Sequence, residues 1–313
     1  GEHAGFQNAR AEAVKRVADA TLVEGISGGS DAGKRIAIGA AAVDRGVVDA
    51  DSALLAPSIS YTDVAIAGPA GARSQIGRVT LTQTRIHTEA ADGSAAALVG
   101  SPAGLEMRDV TAQSAQGETI SVAIVEASME PAKNDVRAGA IAVEDLVFDL
   151  SLLEEPASSQ IRALGYEKLT VDLSATGAWQ AAEGRITLSN TSVSVDGMGE
   201  LALSLSASGL TGAAFETLQT TGADFASLLE TLGGVTLSEL GGAFQVEGLT
   251  DRLLARASET TGRDRATVVA ELTAAFDRLV ASVGDTRFCA DLSAAVAGFL
   301  AAPGRLSLSA KPA

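Results

Sequence analysis

Residues 25–35 read GISGGSDAGKR and overlap two patterns that carry chemistry. Gly25-Ile26-Ser27-Gly28-Gly29 fits G-x-S-x-G, the sharp strand-to-helix elbow that presents a nucleophilic serine. Gly28 with Gly33-Lys34 fits all but the last position of G-x₄-G-K-[ST], whose backbone N–H groups and lysine cradle phosphate. Each chemistry needs supporting groups. An elbow serine needs a helix behind it and a histidine and an acid later in the chain, and of the two histidines, His3 and His87, only His87 follows Ser27. The phosphate loop needs a hydroxyl for Mg²⁺ and a helix N-terminus. Arg35 stands where the hydroxyl belongs, and Ile36-Ala37-Ile38 reads as strand. Both matches therefore read as a glycine-rich turn, joining an N-terminal helix to a first strand at Lys34.

The remaining chemically capable residues are scattered. Asp49, Asp51, Asp145, Asp149, Glu154 and Glu155 include paired carboxylates. No D-x-[DN]-x-[DN]-G loop organises them for Ca²⁺, and their reading is as solvated strand edges and turns. Trp179 and Tyr166 suit either a ligand cavity or the core, and as lone aromatics they read as core anchors. Cys289 is the only cysteine. No intrachain disulfide or thiolate cluster is possible, and Cys289 reads as a small buried apolar residue. No catalytic, cofactor-binding or metal-ligating residue is assigned, and the ligand-binding residues are left unassigned.

Composition narrows the classes. Of 313 residues, 46% are hydrophobic and only 4% aromatic, so a folded core of small and β-branched side chains is expected. The net charge of −16 repels phosphate backbones and acidic headgroups, which argues against a nucleic-acid partner. The longest apolar run, residues 294–302, is half the length a membrane-spanning helix needs. Because the chain starts at Gly1, an exporting or anchoring segment is expected to precede it.

The elements that must position these residues follow from periodicity. Residues 9–22 place Ala13, Val14, Val17 and Ala20 at helical spacing. Two-residue alternation then runs from about Lys34 to Leu210, as in TVDLSA (170–175) and ELALSLS (200–206). Asp196-Gly-Met-Gly199 supplies a hairpin turn. Helices are expected at 213–218, 224–232, 250–259, 264–283 and 291–301, with strands at 235–246 and 305–310. In the longest helix Val268, Leu272, Phe276, Leu279 and Val283 step along one face behind an Asp264 N-cap.

The strands repeat. GRVTLTQTRIH from Gly77, GRITLSNTSVS from Gly184 and GAIAVEDLVFD from Gly139 match in character, and the segment from Gly39 is a weaker copy. The apolar phase changes midway in each clear copy. Val79 and Leu81 are odd but Ile86 is even; Ile141 and Val143 give way to Leu146 and Phe148; Leu188 is followed by Val193. A side chain changes face when one residue is gained or lost, so the middle of each unit is expected to hold a bulge or kink. The irregular spacing of the copies argues against a strict solenoid and for a meander with variable loops. The expected fold is α+β, mainly β: a long twisted antiparallel meander with an N-terminal helix and a C-terminal helical element. It divides into a helix and Gly-rich connector (1–33), a repetitive sheet region (34–211), and helices packed on the sheet end (212–313).

The repeated G-x-h-x-h strands, the stretch from Leu164 to Leu205 and the C-terminal part from Gly248 to Leu308 resemble AsmA-like and YdgA-like bacterial envelope proteins. The resemblance implies a periplasmic protein, tethered to the inner membrane in full-length members, whose curved sheet offers an apolar groove used in envelope maintenance or lipid movement. It supplies no catalytic residue. The expected function is non-enzymatic binding or conveyance of a lipid or other apolar ligand along that groove. The alternative is a structural or interaction protein with a filled core and an envelope protein as partner.

Overall fold

The computed structural model describes residues 22–29, 35–43, 47–48, 54–68, 71–89, 97–130, 135–180, 182–209, 235–281 and 286–311. The chain divides into two compact units, Gly1–Leu152 and Leu153–Ala313. Both are built on antiparallel sheet, so the mainly-β expectation holds.

In the first unit the strands are β1 (Leu22–Gly29), β2 (Arg35–Val43), β3 (Val47–Val48), β4 (Leu54–Ala67), β5 (Arg73–Glu89), β6 (Ala97–Ser101), β7 (Gly104–Gln113), β8 (Thr119–Met129) and β9 (Val136–Asp149). They lie in the order β1-β2-β4-β5-β7-β8-β9, with β3 beside β4 and β6 beside β5. Chain order is sheet order, as a meander requires.

The N-terminal expectation is corrected here. Leu22–Gly29, expected as the end of a helix and a loose connector, is a strand paired with β2 from Leu22–Ala42 to Gly29–Arg35. The error came from reading glycine as turn punctuation. Within a strand, glycine instead marks a place where another backbone or side chain comes close, and pairing with β2 decides the conformation. Residues 9–21 of the expected helix, residues 30–34 and the helices expected at 213–218 and 224–232 lie outside the described residues.

One feature crosses the whole first sheet. Gly25, Gly39, Asp63, Gly77, Asp109, Ala123 and Asp145 stand in a single transverse row, one residue on each of β1, β2, β4, β5, β7, β8 and β9. Each falls in the gap between paired flanking residues, such as Ile38–Val64 and Ala40–Thr62, or Ile76–Val110 and Arg78–Arg108. Asp63, Asp109 and Asp145 have φ of 53°, 53° and 52°. Left-handed backbone is costly for most side chains and tolerated best by Asp and Asn. Apolar rows flank this one. Ile38, Val64, Ile76, Val110 and Val122 form one, and Ala41, Tyr61, Val79, Met107, Val125 and Val143 the other.

The second unit opens with α1 (Ala157–Ala163) and continues with β10 (Lys168–Gln180), β11 (Arg185–Val195), β12 (Gly199–Ser208) and β13 (Thr236–Val246). Three helices follow, α2 (Leu249–Thr261), α3 (Arg265–Val280) and α4 (Thr286–Ala301), before the last strand, β14 (Arg305–Ala310). The sheet order is β10-β11-β12-β13-β14. The hairpin at 196–199 joins β11 to β12 as expected. Asp264 caps α3, its carboxylate accepting from the Thr267 N–H at 2.8 Å. The expected stripe on α3 is corrected in part: Val268 is buried, but Leu272 and Leu279 are 45% and 68% exposed, and the helix packs through Val268 and Val280.

The expected bulge is present in β11. Asn190 has φ 50° and is the extra residue against both neighbours, since the pairing slips by one between Ser174 and Thr176 on β10 and between Leu188 and Thr191 on β11. Its effect is legible from β12, which has no insertion there. Leu188 pairs with Leu205 and Val193 with Leu201. Leu201 and Leu205 are four residues apart on a regular strand and share a face, so Leu188 and Val193 share it too, despite a separation of five.

Candidate functional site

The pairing of β10–β14 sorts the second sheet into two chemically distinct faces. Cross-strand partners share a face. One face collects Val171, Leu173 and Trp179 from β10, Ile186, Leu188, Val193 and Val195 from β11, and Leu201, Leu203 and Leu205 from β12. Leu240, Phe244 and Val246 from β13 and Leu306 and Leu308 from β14 complete it. The other face carries Ser174, Ser192, Ser194, Ser204, Ser206, Ser307 and Ser309, joined by Asp172, Glu200, Glu239 and Arg305. Ser174 and Ser192 hydrogen-bond across it at 2.8 Å. Strict alternation of apolar and hydroxyl residues produces this segregation, and the Asn190 bulge keeps it in phase.

Helix α4 lies on the apolar face through Phe299, whose ring is 6.1 Å from that of Phe244. Coverage is partial. Leu201, Leu203 and Leu308 are 41%, 44% and 43% exposed. Leu203 and Leu308 flank Gly242, which pairs with both and adds no side chain between them. The result is a part-exposed apolar patch beside the Phe244–Phe299 contact. In the first unit Ile120, Ile141 and Met129 are also exposed large apolar residues.

One end of the second sheet is fastened. The Tyr166 hydroxyl donates to the Gly197 carbonyl in the β11–β12 turn at 2.7 Å, and Arg252 of α2 lies over the Tyr166 ring while donating to the Leu164 carbonyl at 2.8 Å. Tyr166 is thus the expected core anchor. Trp179 is half-buried on the apolar face beside Ile186.

The residues suggested by motif do not assemble. Ser27 lies inside β1, opposite Ala37, and through β2 and β4 it shares a row with Gln75 of β5. His87 lies twelve residues further along β5, about 40 Å at the rise of an extended strand. The serine is therefore in neither an elbow nor reach of the histidine. Lys34, Gly33, Asp49 and Asp51 lie outside the described residues. Asp145 belongs to the transverse row, and Asp149 accepts from the Ser151 N–H at 2.7 Å. Glu155 accepts from the Ser158 hydroxyl at 2.6 Å, a bond that holds its carboxyl below the usual range. Glu106 is likewise lowered by its hydrogen bond to Arg108 at 2.7 Å. Among the described residues no cluster of His, Cys, Asp and Glu forms a metal site. Cys289, expected buried, is half-buried, its thiol donating to the Val280 carbonyl at the end of α3, 3.2 Å away. No described helix is long and apolar enough to cross a membrane.

A family model described as an uncharacterized protein matches residues 192–313, from β11 to the end of the chain. No curated protein matches the chain.

Sequence reading puts Leu201, Leu203 and Leu205 on one face but leaves the ligand-contacting residues unassigned and does not single out Gly242 and Leu308. The signal was present in the ELALSLS and RLSLS alternation, but which leucines stay uncovered depends on where α4 lies.

Proposed function

We propose that the protein is a non-enzymatic envelope protein of the periplasm that binds or conveys a lipid or other apolar ligand along the apolar face of its sheet. The observation that carries this reading is the apolar patch of Leu201, Leu203, Gly242 and Leu308, part-exposed beside Phe244 and Phe299 on a face whose reverse side is hydroxyl-rich. An apolar sheet face must be covered by a helix, a second sheet or a ligand, and the described helices cover part of it. The likeness of the strand repeats to AsmA-like and YdgA-like proteins supports the same reading. Native extraction followed by lipid mass spectrometry tests it: co-purifying lipid in stoichiometric amount is expected, and a lipid-free protein that also takes up none when offered overturns it.

A second reading, an interaction protein docking an envelope partner, draws on Leu253, Leu272 and Leu279, exposed on α2 and α3. Under that reading Leu272→Glu abolishes partner binding and leaves lipid content unchanged.

A further inference from the structure

We infer that the row from Gly25 to Asp145 is a crease at which the seven strands it crosses (β1, β2, β4, β5, β7, β8 and β9) change pleat phase together, so that the apolar rows on its two sides line one face. The second unit supplies the precedent within the same chain. There Asn190 takes left-handed backbone in one strand only, the pairing slips by one residue, and Leu188 and Val193 stay on one face. In the first unit left-handed aspartates occur in β4, β7 and β9, yet the pairing keeps one register on both sides of the row. A phase change in those strands alone would force a slip. The absence of any slip requires β1, β2, β5 and β8 to change phase at the same level, and there they carry Gly25, Gly39, Gly77 and Ala123.

Packing and burial agree. A Cβ added to Gly39 would lie 2.9 Å from the Asp63 Cβ, and one added to Gly77 would lie 3.0 Å from the Asp109 Cβ, so the aspartates occupy the space a side chain would need. The buried residues fall on both sides of the crease, Val64 at 7% exposure on one side and Ala41 and Ile59 at 2% and 6% on the other. Strict alternation would put Val64 on the opposite face from the other two and demand a cover on each side. With the phase change, one cover serves all three, and the flanking rows give an apolar lining about 23 Å long.

Single cysteines at positions 75, 76, 79 and 80 of β5, placed in a Cys289→Ser background of the full chain, test this through their reaction rates with a water-soluble maleimide. The crease predicts that Ile76→Cys and Val79→Cys react at least about tenfold more slowly than Gln75→Cys and Thr80→Cys. Strict alternation instead groups 75 with 79 and 76 with 80, and that grouping overturns the inference. A second pair guards against misfolded cysteine variants. Asp109→Gly, free to adopt left-handed backbone, is expected to keep the wild-type melting midpoint, whereas Asp109→Val lowers it; equal midpoints for the two overturn the crease.

Discussion

The guanidinium of Arg252 stands 4.5 Å from the centre of the Tyr166 ring, and the same tyrosine reaches across to the Gly197 carbonyl. One aromatic side chain thereby joins the segment before β10, the β11–β12 turn and the start of α2. A cation over an aromatic face contributes about 0.5–1 kcal/mol at an exposed site, and a neutral hydrogen bond about 1 kcal/mol. Tyr166→Phe is expected to lose the second and keep the first, whereas Arg252→Ala keeps the second and loses the first together with its bond to the Leu164 carbonyl. Urea unfolding should show Tyr166→Phe destabilised by roughly 1 kcal/mol and Arg252→Ala by about 1–2 kcal/mol. The double variant should be additive, because Phe still offers the ring and the Arg252 effect is unchanged by it. Strong non-additivity would show that the hydroxyl sets the ring's position under Arg252.

The crease has a stability consequence at Gly39. Its added methyl would meet the Asp63 Cβ at 2.9 Å and the Thr62 carbonyl oxygen at 3.3 Å. Gly39→Ala is expected to destabilise by about 1–3 kcal/mol, the usual range for overpacking, measured by chemical unfolding. Gly71, which has nothing within 4 Å of its would-be Cβ but a positive φ, serves as the contrasting site. There, any loss comes from backbone alone.

Thr84 is 2% exposed and its hydroxyl finds no hydrogen-bond partner among the described residues. It pairs with Ala56, which is fully buried. Removing an unsatisfied buried hydroxyl while keeping the side-chain shape is favourable by about 1–2 kcal/mol. Thr84→Val should therefore raise the melting midpoint, and a lowered midpoint would reveal a partner for the hydroxyl.

Asp264 carries a pH signature. The Thr267 backbone N–H, followed by the Thr267 side chain, lowers its pKa below the ordinary 3.8. A carboxyl depressed on folding stabilises the fold above its unfolded pKa and loses that contribution as pH falls through its folded value. The stability gap between wild type and Asp264→Ala should be steady from neutral pH down to about pH 4. It should then shrink at lower pH, as followed by unfolding curves.

Much of this fold was legible in the sequence because it rests on local alternation. The phase change between Val79 and Ile86, between Val143 and Leu146 and between Leu188 and Val193 points to the middle of each repeat. The residue found there in left-handed backbone is the seventh of each copy: Gln83, Asp145 and Asn190. Asp63 and Asp109 were not legible in the same way, since their place in a row with Gly39 and Gly77 is a property of register between strands. Strand β1 was missed for a related reason: its glycines satisfy no local strand pattern, and its conformation is set by β2. On α3, helical spacing identified the stripe from Val268 to Leu279 but not which part packs, because α2 and α4 decide that from outside the helix. The exposure of Leu203 and Leu308 was hidden for the same reason.

Binding of a fluorescent fatty-acyl probe to the purified full chain, wild type against Leu203→Glu and Leu308→Glu, tests the ligand reading most directly. Both leucines are over 40% exposed, so the substitutions are compatible with folding, which circular dichroism checks. Saturable binding by wild type, weakened at least about tenfold (~1.4 kcal/mol) by either charge, is the expected result. Absence of binding by wild type, or equal binding by all three proteins, would contradict a ligand-binding role for this face.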